Sequence, residues 1–213
     1  MDCILYDETV ESSDVELVRA LLAAQRGAFD RFVGIYHAKL FRYSFAMCGQ
    51  REDAEEVAQE TLLKIFESLP TLREPEQLKP WLYRIAKNAC LMKRRRSLFA
   101  PHPNEEVSLD ELRPGRDGSS QRLEIADWSA LPEKLASDSE VRGAIEDAVR
   151  DLPDLYRAVF LLRDVEGLST EEAAHALEVN TDVIKTRLHR ARLMMRKHLD
   201  AHLRGAVKGV GRL

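Results

Sequence analysis

The sequence predicts an all-α protein of two small helical domains joined by a flexible acidic linker. Three observations support this fold class. Apolar residues recur at helical spacing on both sides of a central segment, helix-capping patterns precede several of these runs, and the alternation typical of strands is almost absent. Prolines and glycines interrupt the central segment, as expected for a linker. With 213 residues, 45% of them hydrophobic, the chain is long enough for packed cores.

The first domain is expected to span residues 13–97, after an acidic tail of residues 1–12. The capping box Ser13-x-x-Glu16 predicts the start of its first helix. Two more amphipathic helices follow, one that ends at Gly49 and one that fits the 3.6-residue period closely. The apolar stripes of these three helices lie within residues 15–22, 28–47 and 53–66.

A fourth helix is predicted after a loop. Residues 68–79 contain two prolines and predict the loop, whereas Pro80 suits the first position of a helix because its missing N–H is not needed there. The helix that follows, at about 81–96, buries one apolar face. Residues 73–96 carry eight Lys or Arg and only two acids, so its other face is strongly cationic.

The linker is predicted at residues 98–136. Residues 101–140 hold ten acids and four Lys or Arg, so this segment is extended and acidic. The apolar surroundings of Trp128 predict that part of it docks on a surface or forms a short helix. Helices resume with the capping box Ser137-x-x-Glu140. The second domain is expected to span residues 137–200, and residues 201–213 are expected to form a C-terminal tail.

A helix-turn-helix is predicted inside the second domain. The capping box Ser169-x-x-Glu172 opens a short helix, Glu178 lies in a tight turn, and Asn180 caps the next helix. That helix buries an apolar stripe and turns polar residues outward; such a helix enters the major groove, where Arg reads guanine. The predicted core positions are Val183, Ile184 and Leu188. The outward candidates for DNA contact are Asp182, Lys185, Thr186, Arg187 and Arg190.

The charge distribution and the number and spacing of the cysteines limit which classes of protein fit this sequence. A net charge of −4 does not exclude a nucleic-acid partner, because residues 181–213 hold nine Lys or Arg and two acids. Cys3, Cys48 and Cys90 are odd in number and lack a metal-ligand spacing, so a reducing cytosol is expected rather than a disulfide framework. The last two are interpreted as small core residues. Since no apolar run approaches membrane length, we predict a cytoplasmic protein without membrane insertion.

Three motifs occur in a fixed order: "DAEEVAQETLLKIF" (53–66), "PWLYRIAKNACLMKRRR" (80–96) and "LSTEEAAHALEVNTDVIKTRLHRAR" (168–192). Through them the chain resembles a bacterial RNA polymerase sigma factor of the extracytoplasmic-function group, over about residues 15–96 and 141–199. The resemblance implies two promoter-reading domains and a flexible joint that threads the polymerase's RNA exit region. It implies core RNA polymerase and promoter DNA as partners, and an anti-sigma factor as a frequent regulator.

The resemblance also gives each candidate site a role. The helix at 53–66 would dock on a coiled coil of the largest polymerase subunit, the helix at 81–96 would recognise and help open the minus-ten element, and the helix from Thr181 would read the minus-thirty-five element. The loop at 68–79 resembles the one that captures a flipped base. The polymerase-binding candidates are Asp53, Glu56, Gln59 and Glu60. The minus-ten candidates are Arg84, Lys87, Asn88, Lys93, Arg94 and Arg95.

Two positions depart from the pattern of this group, which commonly has Gly where Glu178 and Asp182 stand. If Glu178 adopts a positive φ, the strain is on the order of 1 kcal/mol. Asp182 would repel a phosphate or accept a hydrogen bond from cytosine, so a promoter preference different from that of typical relatives is expected.

The residues alone also allow two other classes of protein. A dimeric helix-turn-helix repressor would bind duplex DNA by itself, and a helical adaptor would bind no DNA. His198 and His202 lie one helical turn apart, but without neighbouring Cys ligands they are interpreted as a polar helix end rather than a metal site. Because no phosphate loop, nucleophile motif or ordered carboxylate pair is present, neither an enzyme nor a cofactor is predicted.

Overall fold

The computed structural model describes residues 8–96 and 139–210, with side chains for 14–94 and 141–200. These two segments form eight α-helices and no strand, which confirms the predicted all-α class. The predictions for the linker, for Trp128 and for the capping box at Ser137 lie outside the described residues. The helices are α1 (Glu8–Leu22), α2 (Ala28–Cys48), α3 (Arg51–Ser68), α4 (Leu78–Arg96), α5 (Ser139–Asp151), α6 (Asp154–Phe160), α7 (Thr170–Leu177) and α8 (Thr181–Val210).

The first helix begins earlier than predicted. It starts at Glu8, so Ser13 lies inside the helix rather than at its cap. Asp14 ties α1 to α2, because its Oδ1 accepts a hydrogen bond of 2.7 Å from Tyr36 Oη. Burial and this carboxylate raise the pKa of Tyr36 above its ordinary value, which keeps its hydroxyl protonated as the donor.

Helices α2, α3 and α4 pack against one another, and α1 contacts α2 and α4. Their shared core is aromatic and aliphatic. Gly27 and Gly49 bound α2 with φ values of 80° and 81°, in the left-handed region that favours glycine. The predicted stop at Gly49 is thereby confirmed. The largest fully buried side chains of this domain are Phe32, Tyr36, Leu40, Tyr43, Met47, Ile65, Leu78 and Leu82.

The predicted loop between α3 and α4 contains two short 3-10 helices, Leu69–Thr71 and Pro75–Gln77. The second leads directly into α4, which therefore begins at Leu78 and not at Pro80. Pro80 still lies in the first turn, where the missing backbone N–H removes no helical hydrogen bond. The short connection holds the start of α4 close to the end of α3.

The second domain is built around α8, on which α5, α6 and α7 pack. Both predicted caps of its helix-turn-helix are confirmed. Ser169 Oγ accepts a hydrogen bond of 3.0 Å from the Glu172 backbone N–H, while the Glu172 carboxylate accepts one of 2.6 Å from the Ser169 N–H. Asn180 Oδ1 accepts one of 2.8 Å from the Val183 N–H. The turn at Glu178 adopts φ 58° and ψ 43°, the left-handed conformation anticipated for it.

The two domains are in direct contact. Helix α4 packs on α7, and α2 packs on α5 and α6. Their buried apolar residues form one continuous core, from Leu17 in α1 to Leu199 in α8. The chain thus has two helical domains, as predicted, and they pack against each other.

Candidate polymerase and nucleic-acid interface

The outer face of α3 carries the polymerase-binding candidates. Glu56, Gln59 and Glu60 are exposed and Asp53 is half-buried, while the opposite face of the helix is buried in the domain core. Lys93 of α4 reaches across, with its Nζ 2.6 Å from Glu56 Oε2 and 3.2 Å from Asp53 Oδ1. The hydrogen bond to Glu56, together with that to Asp53, raises the pKa of the Lys93 ammonium. One predicted DNA contact is therefore paired with two predicted polymerase contacts.

An exposed apolar patch lies next to these acids, and the sequence reasoning did not identify it. Leu63 and Phe66 are 58% and 56% exposed, and the ring of Phe66 packs edge-on against that of Phe29 at 5.0 Å. Leu63 follows Gln59 by four residues and Glu56 by seven, so it continues the same helical stripe. The apolar stripe predicted within residues 53–66 includes Phe66 by its helical period, yet this ring lies on the exposed side of α3.

Two minus-ten candidates in the middle of α4 point toward the second domain. Lys87 is 9% exposed and Arg84 is half-buried, whereas Asn88 is exposed. The carboxylate of Glu178, in the helix-turn-helix turn, lies 3.9 Å from Arg84 Nη1 and 3.7 Å from Lys87 Nζ. Burial lowers the pKa of Lys87, and Glu178 partly opposes that shift. Both cations thus lie within ion-pair distance of one carboxylate of the other domain.

Arg94 belongs to a buried ionic cluster at the end of α4. Its Nη1 lies 2.5 Å from Asp154 Oδ1 and donates a hydrogen bond of 3.0 Å to the carbonyl of Met47. Arg157 donates a second hydrogen bond of 3.0 Å to the same carbonyl and lies 3.7 Å from Asp154. Burial, aided by repulsion from Arg94, lowers the pKa of Arg157 to about 10. The side chain of Arg95 lies outside the described residues.

A further contact joins the domains near Arg84. The Tyr83 hydroxyl donates a short hydrogen bond to the Glu166 carboxylate. Burial and this carboxylate raise the pKa of Tyr83 above its ordinary value, so the hydroxyl remains a donor. This pair adds a fourth polar contact between α4 and the second domain, after those of Arg84 and Lys87 with Glu178 and of Arg94 with Asp154.

The minus-thirty-five candidates occupy the outer side of α8. Asp182, Lys185 and Thr186 are exposed and Arg187 is half-buried. Asp182 Oδ1 lies 3.4 Å from Lys185 Nζ, one turn along the helix. Of the predicted core positions, Ile184 and Leu188 are buried, while Val183 is only half-buried.

Arg190 differs from its predicted outward orientation. Its side chain is half-buried, and its Nη1 lies 3.4 Å from the Tyr156 hydroxyl of α6. Tyr156 itself is 1% exposed, so this guanidinium packs on the domain core. The exposed DNA-facing candidates of α8 are therefore concentrated in its first two turns.

The described residues contain no group of three or more His, Cys, Asp or Glu arranged to hold a metal ion. His198 Nδ1 lies 3.2 Å from Asp151 Oδ2, which gives that ring a protein partner. Within the same ranges, each helix is either too short or too polar to cross a lipid bilayer.

Two known families match this chain, one in each domain. The family Sigma-70 region 2 matches residues 32–98, and the family Sigma-70, region 4 matches residues 142–195. The first match spans α2 to α4, and the second spans the helix-turn-helix. Together they account for more than half of the chain.

Relatives and solved structures agree with these matches. The ECF RNA polymerase sigma factor SigW of Bacillus subtilis is 28% identical, over 85% of this chain and 94% of its own length. SigE of Mycolicibacterium smegmatis is 30% identical, over 82% of this chain and 63% of its own length. The RNA polymerase sigma-H factor of Pseudomonas aeruginosa is 27% identical, over 92% and 98%.

Two solved structures share the fold. CnrH, solved in complex with the cytosolic domain of CnrY, superposes with a TM-score of 0.61 at 20% identity, over 88% of this chain and 97% of that one. The sigma factor RpoE of Bartonella quintana, solved with the anti-sigma factor NepR, superposes with a TM-score of 0.57 at 20% identity, over 82% and 98%. The ordered pair of sigma-70 regions and the relatives that carry it lead to one conclusion: the chain belongs to the sigma-70 family, in the extracytoplasmic-function (ECF) group of RNA polymerase sigma factors.

Proposed function

We propose that this chain is an alternative sigma factor that binds core RNA polymerase and directs it to specific promoters. The observation that carries the proposal is the presence of sigma-70 regions 2 and 4 in one chain, in this order. Sigma factors are regulatory proteins and not enzymes. The binding surfaces described above suit such a role, since it requires contact with a protein and with DNA but no bond chemistry.

The polymerase contact is proposed for the outer face of α3, through Asp53, Glu56, Gln59 and Glu60. Its acids complement a basic partner surface, and the exposed rings of Phe29 and Phe66 beside them would add apolar area to the contact. Exposed aromatic side chains at the edge of a charged face are typical of protein-binding surfaces.

The promoter contacts are proposed for α4 and α8. Arg84, Lys87, Asn88, Lys93, Arg94 and Arg95 would hold the minus-ten element, and Asp182, Lys185, Thr186, Arg187 and Arg190 would serve the minus-thirty-five element. Arg190 would need to leave Tyr156 to reach DNA, whereas Lys185 and Thr186 already face solvent. The domain limits proposed with these roles are 13–97 and 137–200, although α8 continues to Val210.

Control by an anti-sigma factor is part of the proposal. Both solved structures of like fold were obtained with a bound partner, which in one case is named an anti-sigma factor. We place the protein in the cytoplasm, where core RNA polymerase and promoter DNA are found. The runner-up function, a dimeric helix-turn-helix repressor, is disfavoured because it gives no reason for sigma-70 region 2 in the same chain.

The test is to mix the purified protein with core polymerase and a promoter library and to sequence the transcripts. We expect a stable complex with core polymerase and new transcripts from a defined set of promoters. A repressor would instead bind duplex DNA by itself as a dimer. Failure to bind core polymerase would reject the proposal.

A further inference from the structure

Two thiols of the first domain lie in contact, although they are far apart in the sequence. Cys48 is the last residue of α2, and Cys90 lies in the second half of α4. The Cys90 thiol donates a hydrogen bond to the Cys48 sulfur. Both side chains are free thiols in this structure. Their interpretation as small core residues accounts for their burial but not for this contact.

The packing of α2 on α4 holds the two thiols together. Before them along the helices, the rings of Tyr43 and Tyr83 lie 5.3 Å apart. After them, Arg94 donates a hydrogen bond of 3.0 Å to the carbonyl of Met47. Contacts on both sides therefore fix the register of the two helices at the cysteines. The pair is part of the domain core and does not depend on the chance position of a surface side chain.

The two thiols have different surroundings. Cys48 is half-buried, whereas Cys90 is fully buried. The hydrogen bond from Cys90 lowers the pKa of Cys48, and Arg94 and Lys93 lower it further, against the opposing effects of burial and of Asp53. The hydrogen bond to Cys48, together with burial, raises the pKa of Cys90. An accessible thiolate beside a second thiol is the arrangement in which one sulfur reacts with an oxidant and the other resolves the product.

We propose that Cys48 and Cys90 are a redox-active pair that hydrogen peroxide converts into a reversible disulfide. The Cys48 thiolate attacks one peroxide oxygen, the O–O bond breaks, and hydroxide leaves, so that Cys48 becomes a sulfenic acid. The Cys90 sulfur then attacks the Cys48 sulfur, water leaves, and the S–S bond forms. In total the two thiols lose two electrons and two protons, and the peroxide becomes two molecules of water.

The position of Cys48 favours this step. A disulfide bond is about 2.05 Å long, so the two sulfurs must approach each other beyond their hydrogen-bonded contact. Cys48 ends α2, and helix ends fray more readily than helix interiors, so the movement falls on Cys48 and not on the buried Cys90. The bond would tie the end of α2 to α4 and enclose all of α3 in the loop. In a reducing compartment such a bond is transient, because cellular thiols reopen it.

The test uses the full-length chain with Cys3→Ser, which leaves Cys48 and Cys90 as its only cysteines. Two variants are made in this background. Cys90→Ala removes the resolving thiol, and Cys48→Ser removes the attacking thiol. Circular dichroism of the reduced proteins compares their helical content. The two-cysteine protein decides the proposal by itself, so a variant that fails to fold does not remove the test.

Each protein is treated with hydrogen peroxide, blocked with N-ethylmaleimide and analysed by mass spectrometry. The two-cysteine protein should lose the mass of two hydrogen atoms, take up no maleimide and yield a peptide pair that joins Cys48 to Cys90. Dithiothreitol should restore both thiols. In Cys90→Ala, the Cys48 sulfenic acid should persist and be trapped by dimedone. In Cys48→Ser, Cys90 should react at least about tenfold more slowly than the pair, because a buried thiol is a poor nucleophile.

Two results would overturn the proposal. One is oxidation of Cys48 to sulfenic or sulfinic acid in the two-cysteine protein while Cys90 stays a free thiol. The other is a set of disulfides that link only separate chains, visible as dimers on a non-reducing gel. The inference goes beyond the proposed function and does not depend on it, because every measurement is made without polymerase or DNA. Failure to bind core polymerase would reject the proposed function and leave the thiol pair untouched.

Discussion

Replacement of Glu178 by glycine tests the backbone of the helix-turn-helix turn. The residue has φ 58° and ψ 43°, and its backbone N–H donates to the carbonyl of Ala174 as a helix C-cap. A residue with a Cβ pays about 1 kcal/mol in this left-handed conformation, while glycine adopts it at almost no steric cost. Glu178→Gly should therefore relieve about 1 kcal/mol of strain in the second domain.

The same substitution removes the contacts of the Glu178 side chain with Arg84 and Lys87. These distances, 3.9 Å and 3.7 Å, and a side chain 60% exposed limit the loss. Such pairs contribute at most about 1 kcal/mol in solvent. Because two pairs are lost, the net effect of Glu178→Gly lies between a loss of about 1 kcal/mol and a gain of about 1 kcal/mol.

Glu178→Ala is the control that separates the two effects, because alanine loses the same contacts but keeps the strain. We expect the glycine variant to exceed the alanine variant by about 1 kcal/mol in the free energy of unfolding, or by about 2–4 °C in Tm. Thermal and urea unfolding followed by circular dichroism at helical wavelengths measure both quantities. Equal stability of the two variants would refute the claim that this turn is strained.

Three further predictions test the caps, the DNA contact and the thiols. Ser169→Ala removes the acceptor for the Glu172 N–H and should cost about 1 kcal/mol of stability in urea unfolding, and no loss would contradict the capping role. Arg187→Ala should weaken use of the minus-thirty-five element. If Arg187 contacts a phosphate, the substitution should also reduce the slope of log affinity against log salt by about 1. Equal activity of wild type and variant on all promoters would show that this cation is only solvated. The hydrogen bond from Cys90, with help from nearby cations, lowers the pKa of Cys48. The pKa of Cys90 is raised, first by its hydrogen bond to Cys48 and then by burial. In a Cys3→Ser background, iodoacetamide should therefore modify Cys48 first and at lower pH, as mass spectrometry would show; faster labelling of Cys90 would refute the assignment.

The local features of the fold were predictable because their causes lie within a few residues. Ser169 and Glu172 form their capping box across three residues, and Asn180 caps α8 in the same way. The positive φ of Glu178 agrees with the glycine that the sigma-factor resemblance places at this turn position. Each of these features depends on backbone geometry that the sequence dictates locally.

The features that were missed depend on partners distant in the sequence. Arg190 was expected to face outward, but its orientation is set by Tyr156, which lies 34 residues earlier in another helix. The contacts of Glu178 with α4 join positions about ninety residues apart, and no periodicity within either helix indicates them. Helix patterns predict which face is apolar, but not which neighbour covers a half-polar face.

The carbonyl of Met47 at the end of α2 receives one guanidinium from each domain, Arg94 from the first and Arg157 from the second. Carbonyls in the last turn of a helix have no partner within the helix and must find one elsewhere. Arg94 and Arg157 each donate to this oxygen at 3.0 Å, so the C-terminal end of α2 is satisfied by side chains of both domains. The seam between the domains therefore supplies a helix-end partner from each side, in addition to the apolar residues that it buries.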